Sequence, residues 1–259
     1  MKKKILLFQA SLCLCLCAMA QERPQVIAHR GYWQTKGSAQ NSISSLVNAA
    51  RLNVYGSEFD VHLTSDSVLV VIHDGVTNNI RIEDSPYAAI QDHVLSNGET
   101  IPTLREFLEA ATAKIGTTKL IFELKVDKND LEYCRRAARR SVALIREKKL
   151  QLQTEFITFN LEAAKELIRL APEIKVYYLS GDIPPKELKA MGFAGMDYHF
   201  DVMRKNPHWF KEAKALGLAI NVWTVNDPDM IREIANYGAD FITTDFPNDA
   251  LKIISAIKW

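Results

Sequence analysis

Cysteine is scarce in this 259-residue chain, and three of its four cysteines fall within the first 17 residues. Only Cys134 lies beyond them, so a framework of intrachain disulfides is excluded and stability must come from a packed core. An excess of one charge is missing too, with 32 Lys and Arg against 31 Asp and Glu. That balance excludes a polybasic nucleic-acid binder, which needs a positive field to attract phosphate backbones. With 47% hydrophobic residues and a net charge of +1, the composition excludes a disordered chain. Past the N-terminus, no run reaches the ~18 unbroken apolar residues of a membrane-spanning helix. No G-x-G-x-x-G follows the first strand-like segment, which removes the commonest use of a doubly wound sheet.

What is present begins with a leader. Residues 1–20 read MKKKILLFQASLCLCLCAMA: Lys2, Lys3 and Lys4, an apolar stretch, then Ala18-Met19-Ala20 as a small-x-small cleavage site. This is the pattern of a secretory signal peptide. None of Cys13, Cys15 or Cys17 follows a pair of small residues, which favours simple cleavage over lipid attachment. The expected mature chain is 21–259, exported to the periplasm, or secreted outright. The leader carries three Lys and no acids, leaving 29 basic groups against 31 acidic ones. Cys134 sits in the helical pattern LEYCRRAARR and reads as packing.

Short β-rich runs then alternate with amphipathic stretches. The strands are read at 25–29, 56–63, 68–73, 119–124, 155–159, 175–179, 195–199, 219–224 and 240–244. Helices are read at 41–52, 103–114, 130–149, 161–170, 185–191, 207–216 and 228–237. Asp227-Pro228 and the Thr103–Glu106 capping box mark two helix starts. Four residues separate Leu63 from Val68, far short of a parallel crossover, so 68–73 must return on 56–63 as a hairpin. Eight parallel strands remain, which suits an α/β fold of the (β/α)8 TIM-barrel type, with an open sheet as the alternative. The polar stretch 75–100 breaks the rhythm and reads as a small insertion over one end of the barrel.

Barrel chemistry gathers at the C-terminal ends of strands. Those ends carry His29 and Arg30, then Glu58 and Asp60, His73 and Asp74, Glu123 and Lys125, and finally Asn221 and Trp223. Residues i and i+2 share a strand face, so Glu58 and Asp60 point together, as do Glu123 and Lys125. A hairpin centred near 65–66 sets His73 opposite Glu58–Phe59. Three converging carboxylates repel one another unless something positive offsets them. Either a hard divalent cation, Ca²⁺ or Mg²⁺, fills that role, or Arg30 and Lys125 do so as a salt-bridge cluster. A cation with Arg30 and Lys125 can neutralise a phosphodiester, and two histidines can share the proton transfers. His62 shares the parity of Glu58 and Asp60 and competes with His73. His199 is placed at the pocket, whereas His93 and His208 read as surface. Trp223 is either a wall for substrate or the top layer of the core.

IAHRG at 27–31, EFDVHLTSD at 58–66, VIHD at 71–74, FELK at 122–125, NVWTVND at 221–227 and ADFITTDFP at 239–247 together resemble the glycerophosphodiester phosphodiesterases, in family order. The resemblance implies a TIM-type barrel that hydrolyses glycerophosphodiesters to glycerol 3-phosphate and an alcohol. It implies His29 and His73 as the acid/base pair, and one divalent ion on Glu58, Asp60 and Glu123. It also implies phosphate contacts from Arg30 and Lys125, and Trp223 in the pocket wall. The family route runs through attack of the glycerol 2-hydroxyl on phosphorus and a cyclic phosphate that water opens. One position departs: the family's Glu-Asn pair is Gln40-Asn41 here, so Gln40 is a weak metal ligand or a partner for a hydroxyl.

Two other readings fit parts of the pattern. A phospholipase cleaving membrane lipid would show apolar or basic loops at the mouth, yet 75–100 offers Tyr87, Ile90 and Val94 without an aromatic cluster. A non-catalytic phosphodiester binder, of which Gln40 would be a sign of decay, would shed its costly buried charges, yet Glu58, Asp60, Glu123, His29 and His73 are kept together.

Overall fold

The computed structural model describes residues 23–126 and 130–258. The leader read at 1–20 and the mature start at Gln21 lie outside the described residues. In chain order the first elements are β1 (Gln25–Ala28), α1 (Ile43–Leu52), β2 (Gly56–Leu63), β3 (Leu69–Val71), β4 (Val76–Thr77) and β5 (Ile80–Arg81). Then come α2 (Leu104–Lys114), β6 (Lys119–Leu124), α3 (Leu131–Glu147), β7 (Thr154–Thr158), α4 (Leu161–Leu170), β8 (Val176–Tyr178) and α5 (Pro185–Ala190). The last are β9 (Gly195–His199), α6 (Phe200–Lys205), α7 (His208–Ala215), β10 (Ala219–Trp223), α8 (Pro228–Asn236), β11 (Phe241–Thr244) and α9 (Pro247–Ala256).

The parallel strands run β1-β11-β10-β9-β8-β7-β6-β2, and β1 pairs with β2 to close the ring. This is the (β/α)8 barrel read from the sequence, not the open sheet. β3 lies antiparallel on the C-terminal part of β2, with Val61 opposite Val71, so the 68–73 segment is the expected hairpin arm outside the ring.

Side-chain alternation explains the closure. Phe59, Phe122 and Phe156 point outward from β2, β6 and β7, with ring centroids 5.2 and 5.1 Å apart along the row. Phe107 of α2 covers Phe59 at 4.6 Å. Each buried Phe contributes on the order of 2 kcal/mol of apolar transfer. The alternate residues Ile27, Ile121, Ile157, Tyr177 and Phe241 fill the barrel interior. Cys134 is buried among the outer core residues, as its helical pattern implied.

The capping signals act as read. Thr103 and Glu106 form a reciprocal capping box, and Asp227 accepts the N–H groups of Asp229 and Met230 at 3.0 and 2.9 Å. Three helices differ from the sequence pattern, one of them α9, which lies past the last helix read at 228–237. α1 starts at Ile43 and not 41, because Asn41 has φ 59° and Ser42 is the cap, its hydroxyl accepting the Ser45 N–H at 3.0 Å. The six-residue α6 was not anticipated, because its cap is the ring of His199, which accepts the Asp201 N–H at 3.2 Å.

The 75–100 excursion is tied down. Ile82, Ile90 and Ile101 bury against Val70 and Ile72 as a small separate core. The Glu99 carboxylate reaches the start of α1, accepting the N–H groups of Ile43 and Ser44 at 3.0 and 3.3 Å, where a helix N-terminus favours negative charge.

Candidate active site

The turn after β1 sets the first half of the site. Arg30 and Gly31 both have positive φ, 55° and 77°, and this left-handed turn aims the Arg30 N–H at Glu58 Oε2, 2.7 Å away. A side chain at Gly31 is barred by more than its φ, since a Cβ there would lie 2.7 Å from the Ser45 backbone carbon. Helix α1 therefore packs directly on the turn that carries His29 and Arg30.

β2 and β6 supply the carboxylates. Asp60 is in register with Glu123, and Glu58 shares the face of Asp60. Ligand oxygens of Glu58, Asp60 and Glu123 all lie within 4.8 Å of one another, and the three residues are buried. Lys125 Nζ bridges two of them, 3.0 Å from Asp60 Oδ1 and 2.6 Å from Glu123 Oε1. Arg30 Nε is 3.7 Å from Asp60. Asn41 Nδ2 donates to Asp60 Oδ2 at 2.8 Å, while its Oδ1 accepts the Asp60 N–H at 3.0 Å.

This positive charge is too little for three anions. Burial, then the charges of Asp60 and Glu123, push the Glu58 carboxyl well above the usual range. Burial and the Asp60 charge push Glu123 up to about 8, against the pull of Lys125. Asp60 moves the other way. Burial opposes its ionisation, but the charges of Lys125 and His73, the Asn41 bond and Arg30 hold it below the usual range. The salt-bridge alternative is thus realised only in part. Glu58 Oε1 is buried and receives no hydrogen bond, which costs roughly 1–3 kcal/mol. An all-oxygen donor set with an orphaned carboxylate oxygen fits a hard divalent cation.

The two histidines face the same pocket. His29, His73, Arg30, Lys125, Glu58 and Glu123 line a cavity of about 140 Å³, completed by Ile157, Phe159, Leu179, Asp197, Trp223 and Thr243. His29 Nδ1 meets Asp245 Oδ1 at 2.8 Å, and His73 Nδ1 meets Asp74 Oδ1 at 2.8 Å. An ionised carboxylate only accepts, so it fixes the proton on Nδ1 and leaves Nε2 for chemistry. Asp245 is itself held, by Asn226 Nδ2 on Oδ2 at 2.7 Å and by its own N–H on Asn226 Oδ1 at 2.9 Å. Burial works against its charge, but the bond and charge from His29, with the bond from Asn226, keep its carboxyl below the usual range.

The remaining expectations resolve individually. Gln40 Oε1 accepts from Arg30 Nη1 at 2.7 Å, so in this arrangement it orients the guanidinium. Asn41 braces Asp60 from behind. Buried His62 has Nε2 3.1 Å from the His73 carbonyl oxygen, so it positions the His73 backbone. Trp223 forms pocket wall, edge-on to Phe159 at 5.5 Å, with Nε1 donating to the Asp197 carbonyl at 2.8 Å. The His199 ring lies behind Trp223, 5.2 Å between centroids. His93 is half-buried, with Nδ1 2.7 Å from Thr77 Oγ1, because the excursion folds over it. Exposed His208 begins α7. Asp245 and Asp197 were not singled out as site residues, although Asp245 follows β11 at the same end of the barrel and Asp197 has inward parity on β9.

The description "Glycerophosphoryl diester phosphodiesterase family" belongs to a family model that matches residues 29–249. A crystal structure of a glycerophosphodiester phosphodiesterase from Parabacteroides distasonis is 48% identical, with a TM-score of 0.89 over 92% of this chain and 99% of that one. An Oleispira antarctica phosphodiesterase, solved in complex with the product sn-glycerol-3-phosphate, is 27% identical with a TM-score of 0.77 over 90% and 98%. A glycerophosphodiester phosphodiesterase of Caldanaerobacter subterraneus subsp. tengcongensis is 26% identical over 245 residues, 88% of this chain and 97% of that protein.

Proposed function

Since the chain belongs to the glycerophosphoryl diester phosphodiesterase family, we propose that it hydrolyses glycerophosphodiesters to glycerol 3-phosphate and an alcohol, with His29 and His73 moving the protons. The supporting observation is that both imidazoles, each braced through Nδ1 by a carboxylate, line one pocket with Arg30 and Lys125. The Oleispira relative holds the same product.

The residues divide the work as follows. Arg30 and Lys125 bind the phosphate and offset the charge that grows on it in the transition state. One histidine takes the proton of the glycerol 2-hydroxyl as its oxygen attacks phosphorus. The other gives a proton to the departing alcohol oxygen, and the P–O bond to that alcohol breaks. Water then opens the cyclic phosphate with the two histidine roles exchanged, leaving glycerol 3-phosphate and restoring both rings. Phe159, Leu179 and Trp223 exclude bulk water from one side. Glu58, Asp60 and Glu123 would hold one Ca²⁺ or Mg²⁺, which would supply positive charge to offset that of the phosphate. The mature enzyme is proposed as 21–259, exported by the 1–20 leader to the periplasm.

Glycerophosphocholine, glycerophosphoethanolamine and glycerophosphoinositol are incubated with the mature protein, with EDTA, and with Ca²⁺ or Mg²⁺ restored. Metal-dependent release of glycerol 3-phosphate, lost in His29→Ala, is expected. No cleavage of any diester with either cation would overturn the proposal.

A further inference from the structure

Asp197 is a buried carboxylate that the steps above leave unused. Met196 and Tyr198, its neighbours on β9, pack into the outer core, so Asp197 points into the barrel, where it lines the floor of the 140 Å³ pocket. Only 2% of the residue is exposed. Its Oδ1 accepts from Asn221 Nδ2 at 2.8 Å, and that same amide donates to Thr243 Oγ1 at 2.8 Å. Its Oδ2 accepts no hydrogen bond from any described residue, and no described Lys or Arg pairs with it. Beside it, Asn221 Oδ1 is also buried without a partner. The Asp197 acceptor thus faces the pocket beside apolar Ile157, Leu179 and Trp223, in a lining that also carries the charged groups and imidazoles of the site, and Asn221 stands next to it. Burial pushes the Asp197 carboxyl up to about 7, with Asn221 opposing and the Glu155 charge adding. In either protonation state a lone pair remains for a donor.

The second depression beside this pocket is larger and more open, about 310 Å³, and it shares the Arg30 and His73 wall with the first. A phosphate on that shared wall sends its two alcohol arms in opposite directions. The smaller, less open pocket suits the constant three-carbon arm, and the larger depression suits the variable one. With the 2-hydroxyl committed to phosphorus, the glycerol arm has one donor left, its terminal hydroxyl.

Resting on the proposed hydrolysis, we infer that Asp197 is a substrate-binding residue that accepts a hydrogen bond from the free primary hydroxyl of the glycerol arm, so that the enzyme selects diesters of unacylated glycerol. An acyl ester at that hydroxyl removes the donor, leaves the buried acceptors unmatched and overfills the pocket.

The test compares glycerophosphocholine with the phosphocholine diester of propane-1,2-diol, which keeps the attacking hydroxyl and lacks the terminal one. Wild-type kcat/KM is expected to favour the glycerol diester by roughly ten- to a hundredfold, the range of a hydrogen bond to a charged group. Asp197→Ala is expected to collapse that ratio to within about threefold, and Asp197→Asn, which retains an acceptor, to keep part of it. Calorimetric binding of glycerol 3-phosphate against propane-1,2-diol 1-phosphate reads the same preference without turnover. Selective binding without hydrolysis would sink the catalytic proposal and leave this inference standing. Equal affinity for the two monophosphates, no binding of either, or an unchanged ratio in Asp197→Ala would overturn the inference.

Discussion

Replacing Asp245 by Asn tests the brace behind His29 with almost no change in volume. The carboxylate receives two hydrogen bonds, from His29 Nδ1 at 2.8 Å and Asn226 Nδ2 at 2.7 Å. An amide has only one oxygen to offer. If that oxygen stays with Asn226, the new NH2 group faces His29 and turns Nδ1 into an acceptor. The ring proton then moves to Nε2, the atom proposed to exchange protons during the reaction. Losing a charge-assisted bond costs roughly 1.5–3 kcal/mol, or about 10- to 150-fold in rate at 1.36 kcal/mol per tenfold. The inverted tautomer extends the loss toward ~10⁴, as in the serine protease triad. We expect kcat to fall by ~10²–10⁴ while KM stays within about threefold. The stability effect has a defined sign. The Asp245 carboxyl is held below its usual range in the folded state, so its contribution is present above the unfolded-chain value and is lost as pH falls through the folded one. Denaturation of Asp245→Asn should therefore differ from wild type most near neutral pH and converge with it in acid. Steady-state kinetics with urea titrations at two pH values decides the matter. A kcat within threefold of wild type would refute the bracing argument.

Asp74→Asn, the matching change behind His73, should cost less than tenfold in kcat, because the Asp74 side chain is 77% exposed and solvent screens the pair. Measured side by side, an equal loss in the two variants would contradict this ranking. In metal-free protein, Glu123 at about 8 binds its proton more tightly folded than unfolded. Stability contributed by this group is full below the unfolded value near 4.5 and declines as pH rises through 8. Glu123→Gln should flatten that decline in urea titrations with EDTA, and an unaltered slope would count against the assignment. Saturating Ca²⁺ or Mg²⁺ should raise the wild-type melting temperature, by about 2.7 kcal/mol of stability at a hundredfold over Kd, and Asp60→Asn should abolish the shift seen by calorimetry.

The barrel was legible because its logic is local. Strand parity put Glu58 and Asp60 on one face and Phe59 on the other, and the short Thr64–Ser67 link forced β3 antiparallel. The same arithmetic sets His73 opposite Glu58–Phe59, in line with the pairing of Val61 and Val71. What stayed hidden depends on who stands across the ring. Asp245 is 216 residues from His29, and only closure of β1 on β11 makes them partners. Asp197 reads as an unremarkable strand residue until Asn221 is known to sit beside it. Gln40 had two plausible roles by type alone, and its bond to Arg30 is set by the left-handed turns at Arg30 and Asn41, which no periodicity reveals. α6 was missed because a histidine performed the capping usually done by Ser, Thr, Asp or Asn.

The ring closes through the pairing of β1 with β2, and β3 takes no part in that closure. One of the two proposed proton carriers is therefore mounted on the frame and the other on an attachment. His29 inherits its position from the whole barrel, whereas His73 hangs from a hairpin whose far end disappears into the small isoleucine cluster of the excursion. The mouth of the enzyme is in this sense a replaceable fitting. Residues 75–100 can be lengthened, shortened or resurfaced to admit a different leaving alcohol while the carboxylate cradle and the proposed glycerol pocket keep their shape. The constraint on such drift is narrow: the cluster must still hold one carbonyl, that of His73, within reach of His62.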